Sequence, residues 1–144
     1  MPVRTSLFAL QKAIFQKLTS YQPLMSKVVG IFDDVPQEYI DETGNAKPTV
    51  FPYIQIDLST NGEFDTKSSF GENITMTLNT YSRYAGHKET YDLMNLIFEA
   101  LKTPLSIEGG FTIARFVPGR PDVITDIDGK SKHGILNLTY WINN

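Results

Sequence analysis

Cysteine is absent from this chain of 144 residues. A disulfide framework and a thiolate metal site are thereby excluded, and the composition fits a reducing compartment. No apolar run approaches the ~18–20 residues that a membrane-spanning helix needs. The opening Met-Pro-Val-Arg-Thr-Ser carries one basic residue and no long apolar stretch, so no signal peptide is expected. Without secretion, the Asn-x-Thr triplets at Asn73 and Asn137 read as accidents of strands rich in Thr and Asn. Basic charge is scarce as well: 13 Lys and Arg face 16 Asp and Glu, giving a net charge of −3 and a pI near 5.3. Nucleic-acid binders usually show a basic stripe or a pI above about 9. Here the basic residues are scattered, and binding to DNA phosphates is not expected.

Catalytic signatures are missing too. There is no G-x-S-x-G elbow, no P-loop and no G-x-G-x-x-G fingerprint. His87 and His133 are the only histidines, and no spacing pairs them as ligands. Metal sites need three or four converging N, S or O donors. Asp33 and Asp34 are adjacent on an extended segment and point in opposite directions; they end a strand before Pro36. The Asp126-Ile127-Asp128-Gly129 run invites a calcium-loop reading. Aligning Gly129 with the invariant glycine, however, puts Ile124 and Ile135 where carboxylate ligands belong. An Asp-Gly hairpin turn accounts for these residues instead. No catalytic residue, metal or cofactor is expected.

What is present is a regular pattern. The length suits one domain, 1–144, burying roughly 68–70% of the unfolded chain's surface, and 41% hydrophobic residues suffice for a core. Leu7, Leu10, Ile14 and Leu18 predict a helix over Thr5 to Thr19, capped by Thr5 or Ser6. A short second turn is expected at Gln22 to Met25, since Pro23 suits a helix start. Val28 to Phe32 reads as a brief strand and Gln37 to Thr49 as a polar surface loop. Tyr53 to Thr60 and Ile74 to Tyr81 alternate cleanly, as strands with one face on a core do. Between them, Asn61 to Gly71 forms a polar hairpin tip broken by Phe64 and Phe70. The second main helix runs from about His87 to Lys102 with Met94, Ile97, Phe98 and Leu101 buried and Tyr91 and Leu93 flanking. Leu105 to Glu108 and Phe111 to Val117, joined at Gly109-Gly110, suggest a hairpin. Asp122 to Asp126 and Gly134 to Ile142 should pair. The fold class is α+β: an antiparallel sheet of several strands with two main helices on one face.

Some side chains stand out from this frame as candidates for an assembly interface. Phe64 and Phe70 sit on the hairpin tip, and Tyr81 and Tyr84 at the polar end of a strand. Core packing and subunit contact are both open for them, since interface centres are rich in aromatics. Arg115 and Arg120 flank Pro118-Gly119. A solvated loop is the simpler reading and an intersubunit salt bridge the alternative.

The order of Gly30, Ile31, Val35 and Pro36, then Phe51, Pro52, Tyr53 and Ile54, then Asp128, Gly129, His133 and Gly134 resembles the tail-completion, or tail-terminator, proteins of long-tailed bacteriophages and prophages. The resemblance spans nearly the whole chain, although the 37–49 loop is longer than expected for that family. It implies a small α+β protein, not an enzyme, located in the virion after assembly in the host cytoplasm. The family forms homo-oligomeric rings, typically hexamers, on the head-proximal end of the tail tube. Such a ring stops tube polymerisation and docks the head connector, so the implied partners are further copies, the major tail tube protein and the neck proteins. DNA would pass through the ring without specific binding: six copies at −3 each make an acidic ring, and a predominantly acidic lumen would repel it. Another small neck or head-completion protein is the alternative, and a small ligand-binding or enzymatic α+β domain a further one.

Overall fold

Alternating residues between Gly30 and Asn143 build a six-stranded sheet in the computed structural model, which describes residues 4–63, 71–126 and 129–143. The strands are β1 (Gly30–Phe32), β2 (Tyr53–Glu63), β3 (Gly71–Ser82), β4 (Thr112–Pro118), β5 (Asp122–Thr125) and β6 (Lys132–Asn143). Helices α1 (Leu7–Thr19), α2 (Gln22–Met25) and α3 (Lys88–Ala100) join them. The strand order is β1-β2-β3-β6-β4, and β5 pairs with the first part of β6. Phe64, Phe70 and Asp128 lie outside the described residues.

The sheet is mixed rather than purely antiparallel. β1 runs parallel to β2, with Gly30 opposite Tyr53 and Phe32 opposite Gln55. The connection between them, residues 33–52, is long enough to carry the chain back to the starting end, as a parallel pair requires. It folds on itself on the way. Two short 3-10 turns at Gln37–Tyr39 and Pro48–Val50 flank a bridge between Ile40 and Ala46. Asp41 accepts hydrogen bonds from the Thr43 and Asn45 amides at 2.9 and 3.0 Å.

The core lies on one face. Ile74, Met76 and Leu78 of β3 and Leu136, Leu138 and Ile142 of β6 are fully buried there. α3 packs on β3 and β6, while α1 and α2 pack on α3. Leu10, Ile14 and Leu18 of α1 are completely buried, each stabilising the fold by about 1.5–3 kcal/mol. On α3, Leu93 belongs to the buried stripe with Met94 and Ile97, whereas Phe98 is half-buried and Tyr91 points outward.

The hairpin expected across Gly109-Gly110 does not form. Residues 105–110 make no strand; Leu105 and Ile107 pack against the core instead, and Glu108 pairs with Lys12 at 3.1 Å. Both glycines turn the chain with φ of +86° and +80°, and β4 finds its partner in β6. Apolar burial of the 105–107 segment won over local pairing.

Candidate functional site

The face of the sheet away from the helices begins with an aromatic stack. The register sets Tyr53, Tyr81 and His133 side by side on β2, β3 and β6. Their rings stack at 4.9 and 4.5 Å between centroids. Phe51 meets Tyr53 edge-on at 5.3 Å, and the Arg83 guanidinium lies 4.4 Å over Phe51. His133 Nε2 lies 2.8 Å from Asn79 Oδ1. Burial pushes the Tyr53 phenol up to about 12, with Tyr81 and Asp126 adding to it and Arg83 opposing. Tyr81 is raised for the same first reason, with Asp126 and Asp57 contributing. Burial lowers His133 against the pull of Asp126. At neutral pH the stack therefore holds protonated phenols and a neutral imidazole, a packing and hydrogen-bonding surface.

Beyond the stack the face is a polar ladder. Thr77 Oγ1 donates to Asn137 Oδ1 at 2.7 Å, and the Thr75 and Thr139 hydroxyls meet at 2.9 Å. Trp141 closes the far end, with Arg115 opposite it on β4. Among the described residues, no group of three or more acidic or histidine side chains is placed to hold a metal.

Of the candidate interface residues, Tyr81, Tyr84, Arg115 and Arg120 are described, and these four do not form one cluster. Tyr81 is in the stack, half-buried, and Tyr84 is exposed in the following loop. Arg115 stands opposite Trp141 whereas Tyr81 stands opposite His133, about 27 Å along β6 at ~3.4 Å per residue. Arg120 is exposed in the turn between β4 and β5.

Two unpaired sheet edges flank this face among the described residues. β1 covers β2 only as far as Gln55, so the outer side of β2 is open from Ile56 to Glu63. On the other side, β4 pairs with β6 alone. Each edge has an apolar hollow on its helix side. Near β2, a groove of about 570 Å³ lies between Phe8 and Phe15 of α1 and Ile31 and Ile56 of the sheet. Under β4, a hollow of about 440 Å³ is lined by Leu105, Ile107, Phe111, Ile113 and Phe116. Phe8 and Leu58 are 73% and 44% exposed. Reading the α1 stripe alone passes over Phe8 and Phe15. The signal for them is their seven-residue spacing on an otherwise polar helix face.

Residues 12–143 match the family described as Tail completion protein gp17. The chain belongs to that family. Its relatives include the Tail completion protein gp17 of Bacillus phage SPP1, 39% identical over 137 residues, covering 94% of this chain and 93% of the relative. In shape it is similar to a chain from the virion of a native gene transfer agent particle, with a TM-score of 0.76 and 16% identity. That likeness covers 99% of this chain and 100% of the other, and supports the shared fold.

Proposed function

We propose that this tail completion protein is a structural component of the phage virion that caps the head-proximal end of the tail tube. It forms a closed ring of copies, six by the family resemblance, stops further tube polymerisation and presents a docking surface to the head connector. The role calls for complementary surfaces and no chemical step. The observation that carries the reading is the pair of unpaired edges on opposite sides of one sheet, in a chain of the tail completion family. Unpaired strands recruit partner strands, and edges on opposite sides let each copy bind two others. A head-to-tail contact of this kind closes into a ring when its rotation permits. At −3 per copy the ring is acidic as a whole, which disfavours adhesion of the DNA that passes through it.

The test is mass by light scattering, for the protein alone and mixed with assembled tail tubes, with electron microscopy of the mixture. A ring, or a monomer captured at one tube end, is the expected result. A monomer that ignores tubes overturns the reading.

A further inference from the structure

The two open edges match each other strand for strand. β2 and β4 point in opposite directions within the chain, because β2–β3, β3–β6 and β6–β4 are all antiparallel. A neighbouring copy carried sideways into a continuous sheet would therefore set its β2 antiparallel to this copy's β4. The free part of β2 carries Asp57 and Glu63 and no basic residue, whereas residues 112–121 carry Arg115 and Arg120 and no acid.

The faces also agree. Asp57 stands opposite Thr77 of β3 and Arg115 opposite Trp141 of β6, so both belong to the face away from the helices. Placing Asp57 across from Arg115 brings Ile56 to Phe116 and Leu58 to Ile113 on the helix face, and Thr60 to Thr112 on the other. Each strand has its bulge within this run, between Leu58 and Thr60 and between Ile113 and Arg115, so alternation survives in both. The run starts where β1 stops covering β2, opposite Gln55. On the helix side the exposed Phe8 projects beside β2, and the apolar hollow lies under β4.

We propose that adjacent copies join head to tail through β2 of one and β4 of the next, paired antiparallel with Asp57 opposite Arg115, and that Phe8 seats in the neighbour's hollow under β4. The inference rests on the ring reading above and names its contact. In the free protein the Asp57 carboxylate accepts the Leu58 amide at 2.9 Å. On docking it turns to the neighbour's guanidinium, an ion pair that fixes register. Contacts between an exposed apolar side chain and a hollow elsewhere on the same molecule are heterologous, as a ring requires.

The sequence has no cysteine, so introduced pairs report the contact without background. Thr60→Cys combined with Thr112→Cys should give, after assembly on tail tubes and mild oxidation, a ladder of disulfide-linked oligomers on non-reducing gels. Mixing the two single variants should give dimers alone, and neither single variant should link to itself. Rings that form without a ladder, or single variants that self-link, overturn the contact while leaving the ring reading intact. Absence of both rings and tube capture in the unaltered protein overturns both. Independently, Asp57→Arg or Arg115→Asp should weaken assembly about tenfold or more, and the double exchange should restore it. Phe8→Ser should weaken assembly without changing the melting temperature of the free protein. Unchanged assembly in all three variants also overturns the contact.

Discussion

Glu72 at the start of β3 holds Ser6 at the start of α1: the Ser6 amide and hydroxyl donate to Glu72 Oε1 at 2.6 and 2.9 Å. The other oxygen accepts from Thr5 Oγ1 at 2.9 Å and Asn61 Nδ2 at 3.0 Å. α1 has no acidic residue in its first turn, and the side chain of its capping residue Ser6 makes no capping bond to the helix's own amides. A strand on the sheet thus supplies the negative charge that a helix N-terminus favours. This one carboxylate ties α1, β2 and β3 together.

Glu72→Ala should destabilise the protein by about 2 kcal/mol at pH 7, since it leaves several donors without their charged acceptor. Burial raises the Glu72 pKa, but the bonds from Ser6, Asn61 and Thr5 outweigh it, and the folded value lies below the ordinary one. A depressed carboxylate contributes stability that is fully present above the unfolded pKa and lost as pH falls through the folded one. Urea unfolding across an acid series should therefore show the gap between wild type and variant closing as pH falls. A gap that persists in strong acid would assign the effect to packing instead.

Gly134 is the point where α3 rests on β6. A Cβ there would come within 2.9 Å of Thr90 Cγ2 and would also collide with Thr80 Oγ1. Both neighbours are completely buried, so neither has room to yield. Gly134→Ala should cost about 1–3 kcal/mol as an overpacked contact, read as a lower melting temperature. Gly129→Ala is the comparison that separates space from backbone: its φ is +71° and nothing lies near its Cβ position. Its cost there would be backbone strain alone.

Much of this architecture was legible because it rests on periodicity. The alternation of β3 and β6 and the stripe Leu10, Ile14, Leu18 follow from one buried face, and the sequence carries that pattern directly. The parallel pairing of β1 was not legible, because three residues, Gly30 to Phe32, carry no direction of their own. Leu105 and Ile107 alternate like a strand but pack, partly buried, against the core, a choice made by tertiary packing and not by the segment. Tyr81 was singled out as a polar-end aromatic, yet its surroundings depend on the register that brings Tyr53 and His133 beside it. For Arg115 the sequence leaves a solvated loop and an intersubunit salt bridge both open, and only the sheet order reveals it on an open edge facing away from the helices. Edges are a property of topology, and topology is the part that local sequence leaves open.

His133 gives the stack a pH response. Burial lowers its pKa in the fold, with Asp126 opposing. A histidine held neutral contributes stability that is fully present above its unfolded value, ~6.5, and lost as pH falls below it toward the folded value. Wild type should lose stability as the medium goes from about pH 7 to about pH 5, and His133→Gln should lose less over that window. Thermal melts of both proteins check this. Equal slopes would mean that the ring titrates in the folded protein as freely as in the unfolded chain.

Thr80 and Thr90 present two fully buried hydroxyls with no hydrogen-bond partner among the described residues. A buried hydroxyl without a partner forfeits its hydration and receives nothing in exchange. Valine has nearly the same shape with a methyl in place of the oxygen, and valine suits the β3 strand at position 80. Thr80→Val should therefore stabilise the protein by about 1 kcal/mol, seen as a higher urea midpoint with an unchanged slope. The same exchange at Thr90 gains less, since valine is no better a helix former than threonine. A loss of stability at position 80 would show that its hydroxyl has a partner after all, and that the close packing at Gly134 is held by a polar contact and not only by shape.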